Sequence, residues 1–248
     1  QSASLPLWLI AKCLERTQIA AESGARFDEV EDDELSAVNL ALRAIMENFH
    51  AVKFDMKRSS LLAEWTDGRP PTAFDDFSDG QRAVIFLVSD LVRRACLLNP
   101  QLGTEVLQKT PGVVLIDELD IHLHPQWQRL LVRGLKNAFP RVQFITASHS
   151  PQIIGELQPD EILLLGQGEV AQPQVSYGLT SSEVLTYIMG AEARTTDVDE
   201  RLEQVLGLIE RGSLEQARVE LSALDALAHG VPELEYARAA LARQEIIG

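Results

Sequence analysis

Positive charge is scarce in this sequence. Its 248 residues carry 22 Lys and Arg against 37 Asp and Glu, a formal net charge of −15. That balance argues against a surface coated in basic residues for gripping nucleic acid, while leaving room for a local basic groove or a basic partner. Cysteine is nearly absent. Cys13 and Cys96 lie far apart in apolar-rich helical patterns, so no disulfide framework is expected and both read as buried free thiols of a cytoplasmic protein. No stretch reaches the ~18–20 uninterrupted apolar residues of a membrane span, so no membrane is expected as a partner. The start, Gln1 to Thr17, has no basic segment leading into an apolar core and cleavage site, as a signal peptide would. It also lacks an initiator Met and enters a helical pattern almost at once, which reads as a chain cut from something longer. What is present is ordinary for a globular protein: 46% hydrophobic and 24% charged residues, enough for one large domain or two small ones.

Along the chain the hydrophobic period changes twice. Leu5 to Glu22 and Asp33 to Phe49 carry apolar residues at helical spacing, separated by an acidic run over 28–34 that reads as a solvated loop entering a helix start. Val52, Phe54 and Met56 then alternate with polar neighbours as in a half-buried strand. Leu61 to Trp65 makes a second strand, and turn chemistry follows at Asp67 to Pro71. The middle of the sequence predicts a helix from Ser78 to about Leu98, a strand over Val113–Ile116, a helix over Pro125–Phe139, a strand over Val142–Thr146, a short helix opening at Pro151 and a third strand over Ile162–Leu165. Strands this apolar are expected to be covered on both faces, and their alternation with helices points to an α/β domain with a largely parallel sheet. Thr180 with Glu183 makes a capping box, and helices are expected over about 197–211, 213–228 and 232–246.

Four short elements carry chemistry. Ser78-Asp79-Gly80-Gln81 opens the long helix. It reads either as a well-capped start or as an anion site, since a helix N-terminus offers free N–H groups and Gly80 permits close approach. In the second element, Val113 to Ile116 runs into Asp117 and Glu118, placing two acids at the carboxyl end of a strand, where open α/β sheets bind ligands. Burying adjacent charges is costly unless a cation such as Mg²⁺ compensates. The third is Leu119-Asp120-Ile121-His122-Leu123-His124-Pro125, in which Asp120 faces the same crevice or a neighbouring subunit. Pro125 suits the first helical position, leaving His124 as an N-cap rather than a metal ligand with His122. Fourth, the strand ending at Thr146 delivers His149, an imidazole able to hydrogen-bond a phosphate or an attacking water if the two strands are neighbours.

In this order the elements resemble the ABC-type ATPases of the SMC, RecF and OLD group. Phe77-Ser78-Asp79-Gly80-Gln81 looks like their signature, with Asp79 in place of the first Gly of Leu-Ser-Gly-Gly-Gln. Val113 to Glu118 looks like Walker B, Leu119-Asp120 like the D-loop and His149 like the switch histidine. The resemblance implies a P-loop NTPase-like α/β fold with ATP and Mg²⁺ as cofactors. Asp117 would then be the Mg²⁺ acid and Glu118 the catalytic carboxylate, His149 would contact the γ-phosphate, and Ser78, Asp79, Gly80, Gln81 and Asp120 would lie against nucleotide at a dimer interface. Ser176-Tyr177-Gly178, Ser182 to Leu185 and Ile188 to Gly190 extend the likeness to PtuA-type defence ATPases of Septu and retron systems. That narrower resemblance implies a homodimer or higher homo-oligomer acting in anti-phage defence with a nuclease partner, often of HNH type. Contact with DNA or retron nucleic acid would accompany it.

Nothing in the sequence matches Gly-x-x-x-x-Gly-Lys-Ser/Thr, the loop that cradles the β- and γ-phosphates. The expectation is that this loop belongs upstream of Gln1 and that these residues alone do not hydrolyse ATP. Three divisions follow: a helical segment over 1–50 inserted in the ATPase, the carboxyl-terminal part of the ATPase domain over 51–178, and a C-terminal α-helical subdomain over 179–248. Four alternatives stay open: a RecF-like DNA-maintenance ATPase, a helicase reading Asp117 to Asp120 as its acidic box and Thr146-Ala147-Ser148 as its coupling motif, a metal-dependent nuclease built on Glu118, Asp120, His122 and His124, and a non-catalytic scaffold.

Overall fold

The computed structural model describes residues 4–31, 33–121, 123–166, 168–190, 196–228 and 232–247. Contacts divide the chain into Gln1–Thr180 and Ser181–Gly248.

The first unit begins with helix α1, Ser4–Ser23, whose inward stripe is Leu5, Leu9, Cys13, Arg16 and Ala20. The spacing is helical, but one position on the stripe is an arginine. Helix α2, Glu34–Arg43, is capped by Asp33, whose side chain accepts from the Ser36 N–H. The helix expected to reach Phe49 stops at Arg43. Asn48 adopts φ +58°, a left-handed corner that Asn tolerates, and Phe49 already opens strand β1, Phe49–Asp55. Its antiparallel partner is β2, Ser60–Trp65, and a two-residue strand β3, Thr72–Ala73, pairs with the far edge of β2. Met56, expected within the first strand, lies beyond its end and is exposed.

Helix α3, Asp79–Leu98, is buried along Val84, Ile85, Val88, Val92 and Ala95. A short helix α4, Val106–Lys109, leads to β4, Gly112–Ile116. Helix α5, Pro125–Ala138, then crosses over to β5, Val142–Thr146, which lies parallel to β4 in the register Gly112↔Val142 to Ile116↔Thr146. After helix α6, Pro151–Ile154, the third expected strand is β6, Leu164–Gly166. It forms an antiparallel hairpin with β7, Glu169–Ala171, instead of joining the parallel pair.

The core of this unit runs from α1 and α2 through α3 to α5 and the sheets, with Leu9, Leu35, Leu42, Ile85, Leu107 and Leu131 at its centre. Cys13 is buried and Cys96 half-buried. Burial pushes the Cys13 thiol up to about 12 and the Cys96 thiol to about 11, so both stay protonated near neutrality.

Coverage of β4 and β5 is one-sided. Val113, Leu115 and Ile145 are 61%, 76% and 50% exposed within these 248 residues, where the sequence predicts strands covered on both faces. A β-strand alternates its side chains between faces. Val114 and Phe144 face inward and their neighbours face out, so an unbroken apolar run cannot report whether one face or both are covered.

Gly134 explains how closely α5 approaches the end of α2. A Cβ added there would lie 2.8 Å from the Ala44 carbonyl oxygen and 3.0 Å from the Ile45 Cα. Alanine in mid-helix is ordinarily worth about 1 kcal/mol over glycine, but here it drives into backbone. Gly134→Ala is therefore expected to destabilise the protein by about 2 kcal/mol, the usual scale of core overpacking. Urea unfolding checks this, and a raised midpoint would contradict it.

The second unit starts with α7, Ser181–Glu183, which runs into a π-helical turn, Val184–Ile188. Helices α8, Thr196–Glu210, α9, Leu214–Leu227, and α10, Pro232–Ile247, follow. They pack Val205, Ile209, Leu221, Leu224, Leu234 and Ala237 into a core of their own. Among the described residues no helix is long and apolar enough to cross a membrane.

Candidate nucleotide site

The parallel register ends with Ile116 beside Thr146, and the backbone ladder continues past both strands. The Ala147 N–H donates to the Ile116 carbonyl at 3.1 Å, and the Leu119 N–H donates to the Ala147 carbonyl at 3.2 Å. Asp117, Glu118, Asp120 and His149 therefore leave the sheet at one end, the carboxyl end, where α/β sheets hold ligands. Asp117, Glu118 and His149 are exposed, and none of their side chains makes a hydrogen bond or ion pair among the described residues. Both carboxylates are exposed in these residues rather than buried.

Glu118 has φ +53°. A left-handed conformation costs a residue with a Cβ about 1 kcal/mol or more, and it persists only where neighbours over-determine it. Here they do. Leu119 is buried in the core, its N–H is held by Ala147, and the Glu118 carbonyl accepts from Ile121 at 3.1 Å.

Asp120 is drawn to the His149 segment by direct bonds. The Ser148 hydroxyl donates to Asp120 Oδ1 at 2.5 Å and accepts from the Ser150 N–H at 3.0 Å. Gln128, 9% exposed, sits behind both segments. Its Nε2 donates to the Leu123 carbonyl at 2.9 Å and the Asp120 carbonyl at 3.3 Å, while its Oε1 accepts from the Ser150 hydroxyl at 2.5 Å. The sequence places Ser148 only in the helicase alternative and gives no role to Ser150 or Gln128. The serines flank His149 in the motif and were legible as candidates, whereas Gln128 gave no signal beyond being a polar residue on an apolar helix.

His124 is the N-cap of α5, its Nδ1 accepting from the Gln126 N–H at 3.4 Å, with Pro125 in the first turn. That engages Nδ1 in the cap and leaves Nε2 as the ring's other nitrogen. His122, its suggested companion, lies outside the described residues. One ligand-type trio does gather elsewhere: Asp28, His50 and Glu64 each bring an atom within 4.8 Å of the others. Phe49 pairs with Trp65 and Ala51 with Glu64, so His50 is the extra residue of a β-bulge. Bulges re-aim side chains in this way. Lys53 already supplies the positive charge, 3.2 Å from Asp28 and 2.9 Å from Glu64. Burial lowers the Lys53 pKa, and the hydrogen bonds to Glu64 and Asp28 outweigh it, leaving it raised.

The remaining predicted residues stand at the start of α3. Ser78 caps that helix, its hydroxyl accepting from the Gln81 N–H at 3.3 Å while Gln81 Oε1 accepts from the Ser78 N–H at 3.1 Å. The capping-box reading is thus realised, and it leaves the helix start exposed at Ser78 and Asp79, with Gly80 buried. Asp79 pairs with Arg82 at 2.5 Å, which offsets the charge an anion would meet. Gln81 also lines a cavity of about 370 Å³ with Trp65, Arg69, Asp76, Gln126 and Trp127. Among the described residues no hydrogen bond or ion pair joins Ser78–Gln81 to the strand ends carrying Asp117 and His149.

Residues 10–155 match the family described as "AAA domain, putative AbiEii toxin, Type IV TA system". The chain belongs to this family. Its α/β fold, with a parallel strand pair, a crossing helix and a helical C-terminal part, is the P-loop NTPase-like class expected from the sequence. Among curated proteins, the chain is 33% identical over 141 residues to the Retron Vc95 probable ATPase of Vibrio cholerae, covering 55% of this chain and 26% of that protein. It is 40% identical over 109 residues to the Retron Ec83 probable ATPase of Escherichia coli, covering 44% and 20%. To the Septu protein PtuA of Bacillus thuringiensis it is 33% identical over 128 residues, covering 48% and 32%. The matched stretches span about a third of these relatives at most. A structure from work on "ATP-driven dimerization and DNA stimulated activation of SMC ATPases" overlaps 63% of this chain and 89% of that chain, with TM-score 0.42 and 13% identity.

Proposed function

We propose that this chain forms part of an ATPase of the retron and Septu defence type. The observation that carries the reading is the shared strand end: β4 and β5, paired in parallel, deliver Asp117, Glu118 and His149 together, with Asp120 tied in by Ser148. The names of the retron relatives support the same activity.

Each residue then has a role that its chemistry suits. Asp117, exposed and uncommitted, is a fitting single carboxylate for Mg²⁺, which keeps most of its waters and takes one or two protein carboxylates beside phosphate oxygens. When bound, Mg²⁺ supplies charge neutralisation at the phosphates. Glu118 accepts the proton of the attacking water. His149 donates a hydrogen bond to the γ-phosphate, stabilising charge as it develops. Ser78, Asp79, Gly80 and Gln81 present a helix N-terminus to nucleotide held by a second subunit, and Asp120 faces the same interface. The working form is a homodimer or higher homo-oligomer that controls a nuclease partner of HNH type, with DNA or retron nucleic acid engaged by the assembly. With a net charge of −15 on these residues, a DNA-holding surface belongs on another part of the protein or on the partner.

The test is ATP turnover and ATP-dependent self-association of the full-length protein, followed by phosphate release and light scattering. Both are expected with Mg²⁺ and ATP. The 248 residues alone, which contain no Gly-Lys-Ser/Thr loop, are expected to show no turnover. Full-length protein that binds no ATP would sink the reading in favour of a scaffold. Metal-dependent DNA cleavage without nucleotide would sink it in favour of a nuclease.

A further inference from the structure

The strand-end residues are held by two bridges, and these grip the residues on either side of His149, Ser148 and Ser150. One is short: Asp120 Oδ1 to the Ser148 hydroxyl, which also accepts from the Ser150 N–H. The other runs through Gln128, whose side chain spends its hydrogen-bonding capacity on two segments at once. Its two N–H donors go to the Asp120 and Leu123 carbonyls and its oxygen to the Ser150 hydroxyl. Ser150 in turn caps α6 through the N–H groups of Gln152 and Ile153, at 3.1 and 3.3 Å. Gln128 sits in the first turn of α5, and its own N–H bonds the His124 carbonyl at 3.2 Å. Its backbone is thus fixed by the helix and its amide by both loops. A primary amide supplies two donors and an acceptor in one rigid plane. A hydroxyl could not span the gap, and a carboxylate would turn two donors into acceptors facing carbonyls.

We propose that Gln128 is a positioning residue that couples the Asp120 turn to the His149 segment, so that displacement of Asp120 at a subunit interface re-aims His149. The proposal rests on the ATPase reading for its consequence, but the coupling itself is a property of this fold. Ser150 is its contact on the far side, and Gln128 hydrogen-bonds both the backbone at Asp120 and Leu123 and the Ser150 hydroxyl.

The decisive experiment is a double-mutant cycle in the full-length protein. Gln128→Leu, similar in volume and unable to hydrogen-bond, is expected to lower kcat roughly 10- to 100-fold, the scale of a small misplacement of a catalytic group. The KM for ATP should stay within about twofold, since the bond His149 gives the γ-phosphate acts chiefly on charge that develops in the transition state. The Gln128→Leu/His149→Ala double variant is expected to be no slower than His149→Ala alone, because residues acting as a unit are not additive. Multiplying losses, or an unchanged kcat in Gln128→Leu, would overturn the coupling. Ser150→Ala cuts the same bridge from the other side and gives the same cycle should Gln128→Leu fold poorly. A second arm needs no turnover: in hydrogen exchange of the full-length protein, Gln128→Leu should speed the amides of Ile121 and Leu123 and of Ser150 while leaving β4 and β5 protected. Faster exchange in one segment only, or in neither, would also overturn it. If the full-length protein hydrolyses no ATP, the ATPase reading fails while the exchange arm still decides the coupling.

Discussion

Glu118→Gln in the full-length protein is expected to lower ATP turnover by about 10²–10⁴-fold, the usual worth of a positioned general base, and to accumulate an ATP-bound dimer. The substitution preserves the shape of the side chain and removes its basicity. It also leaves the backbone at φ +53°, because the bonds that fix it, Leu119 N–H to the Ala147 carbonyl and Ile121 N–H to the carbonyl of residue 118, are both main-chain bonds. Turnover should therefore fall without loss of folded protein or of ATP affinity. Phosphate release reads the first effect, and chromatography with and without ATP reads the second. Undiminished turnover would remove Glu118 from the proposed role. Unchanged ATP binding in that case would leave the site in place with a different base.

Removing Arg16 is expected to cost about 3 kcal/mol of stability, the lower end of what breaking a buried ion pair costs. Arg16 is 4% exposed and lies on the apolar stripe of α1. Its Nε donates to Asp33 Oδ2 at 2.8 Å, a second guanidinium nitrogen bonds Asp33 Oδ1, and that nitrogen also donates to the Ser36 hydroxyl at 2.6 Å. The guanidinium lies 5.4 Å from the Phe27 ring centroid as well. Arg16→Met keeps the packing and leaves Asp33 without its cation. Burial alone would raise the Asp33 pKa, but the bonds from Arg16 and the Ser36 N–H outweigh it and hold the carboxyl below its usual range.

The pH dependence follows in sign. A depressed carboxyl contributes stability that is full above its unfolded pKa of about 4 and is lost as pH falls through the lower folded value. Urea unfolding of the parent should therefore show midpoints falling on acidification below about pH 4. In Arg16→Met the midpoint is expected to be lower at pH 7 and its acid dependence flatter. Equal midpoints at pH 7 would show that the pair contributes nothing.

Much of the site was legible because its chemistry is local. Ser78 with Gln81 three residues on, Pro125 behind His124, and an apolar run ending in Asp117 and Glu118 are each readable within a window of a few residues. The structure forms the two caps and the strand where they were expected. Asp33 shows the opposite. Inside an acidic run it looked like one more solvated charge, yet it caps α2 and neutralises an arginine 17 residues away. A local window can mark Asp33 as a cap, since Asp caps helices and Glu does not, but it cannot show the pairing with Arg16. The hairpin of β6 and β7 was likewise misassigned to the parallel sheet, since an apolar triplet does not state its partner.

By itself the sequence determined the order of the elements, their caps and the residues delivered to strand ends, because period and capping depend on neighbours three or four positions away. Only the tertiary structure decided which face of β4 and β5 is covered, that Glu118 takes a left-handed backbone, and that Gln128 reaches Asp120, Leu123 and Ser150. It also decided that Gly134, which reads as a weak point in a helix, is where α5 meets the backbone at Ala44 and Ile45. These outcomes depend on distances between segments far apart in the chain, and such distances are set by packing.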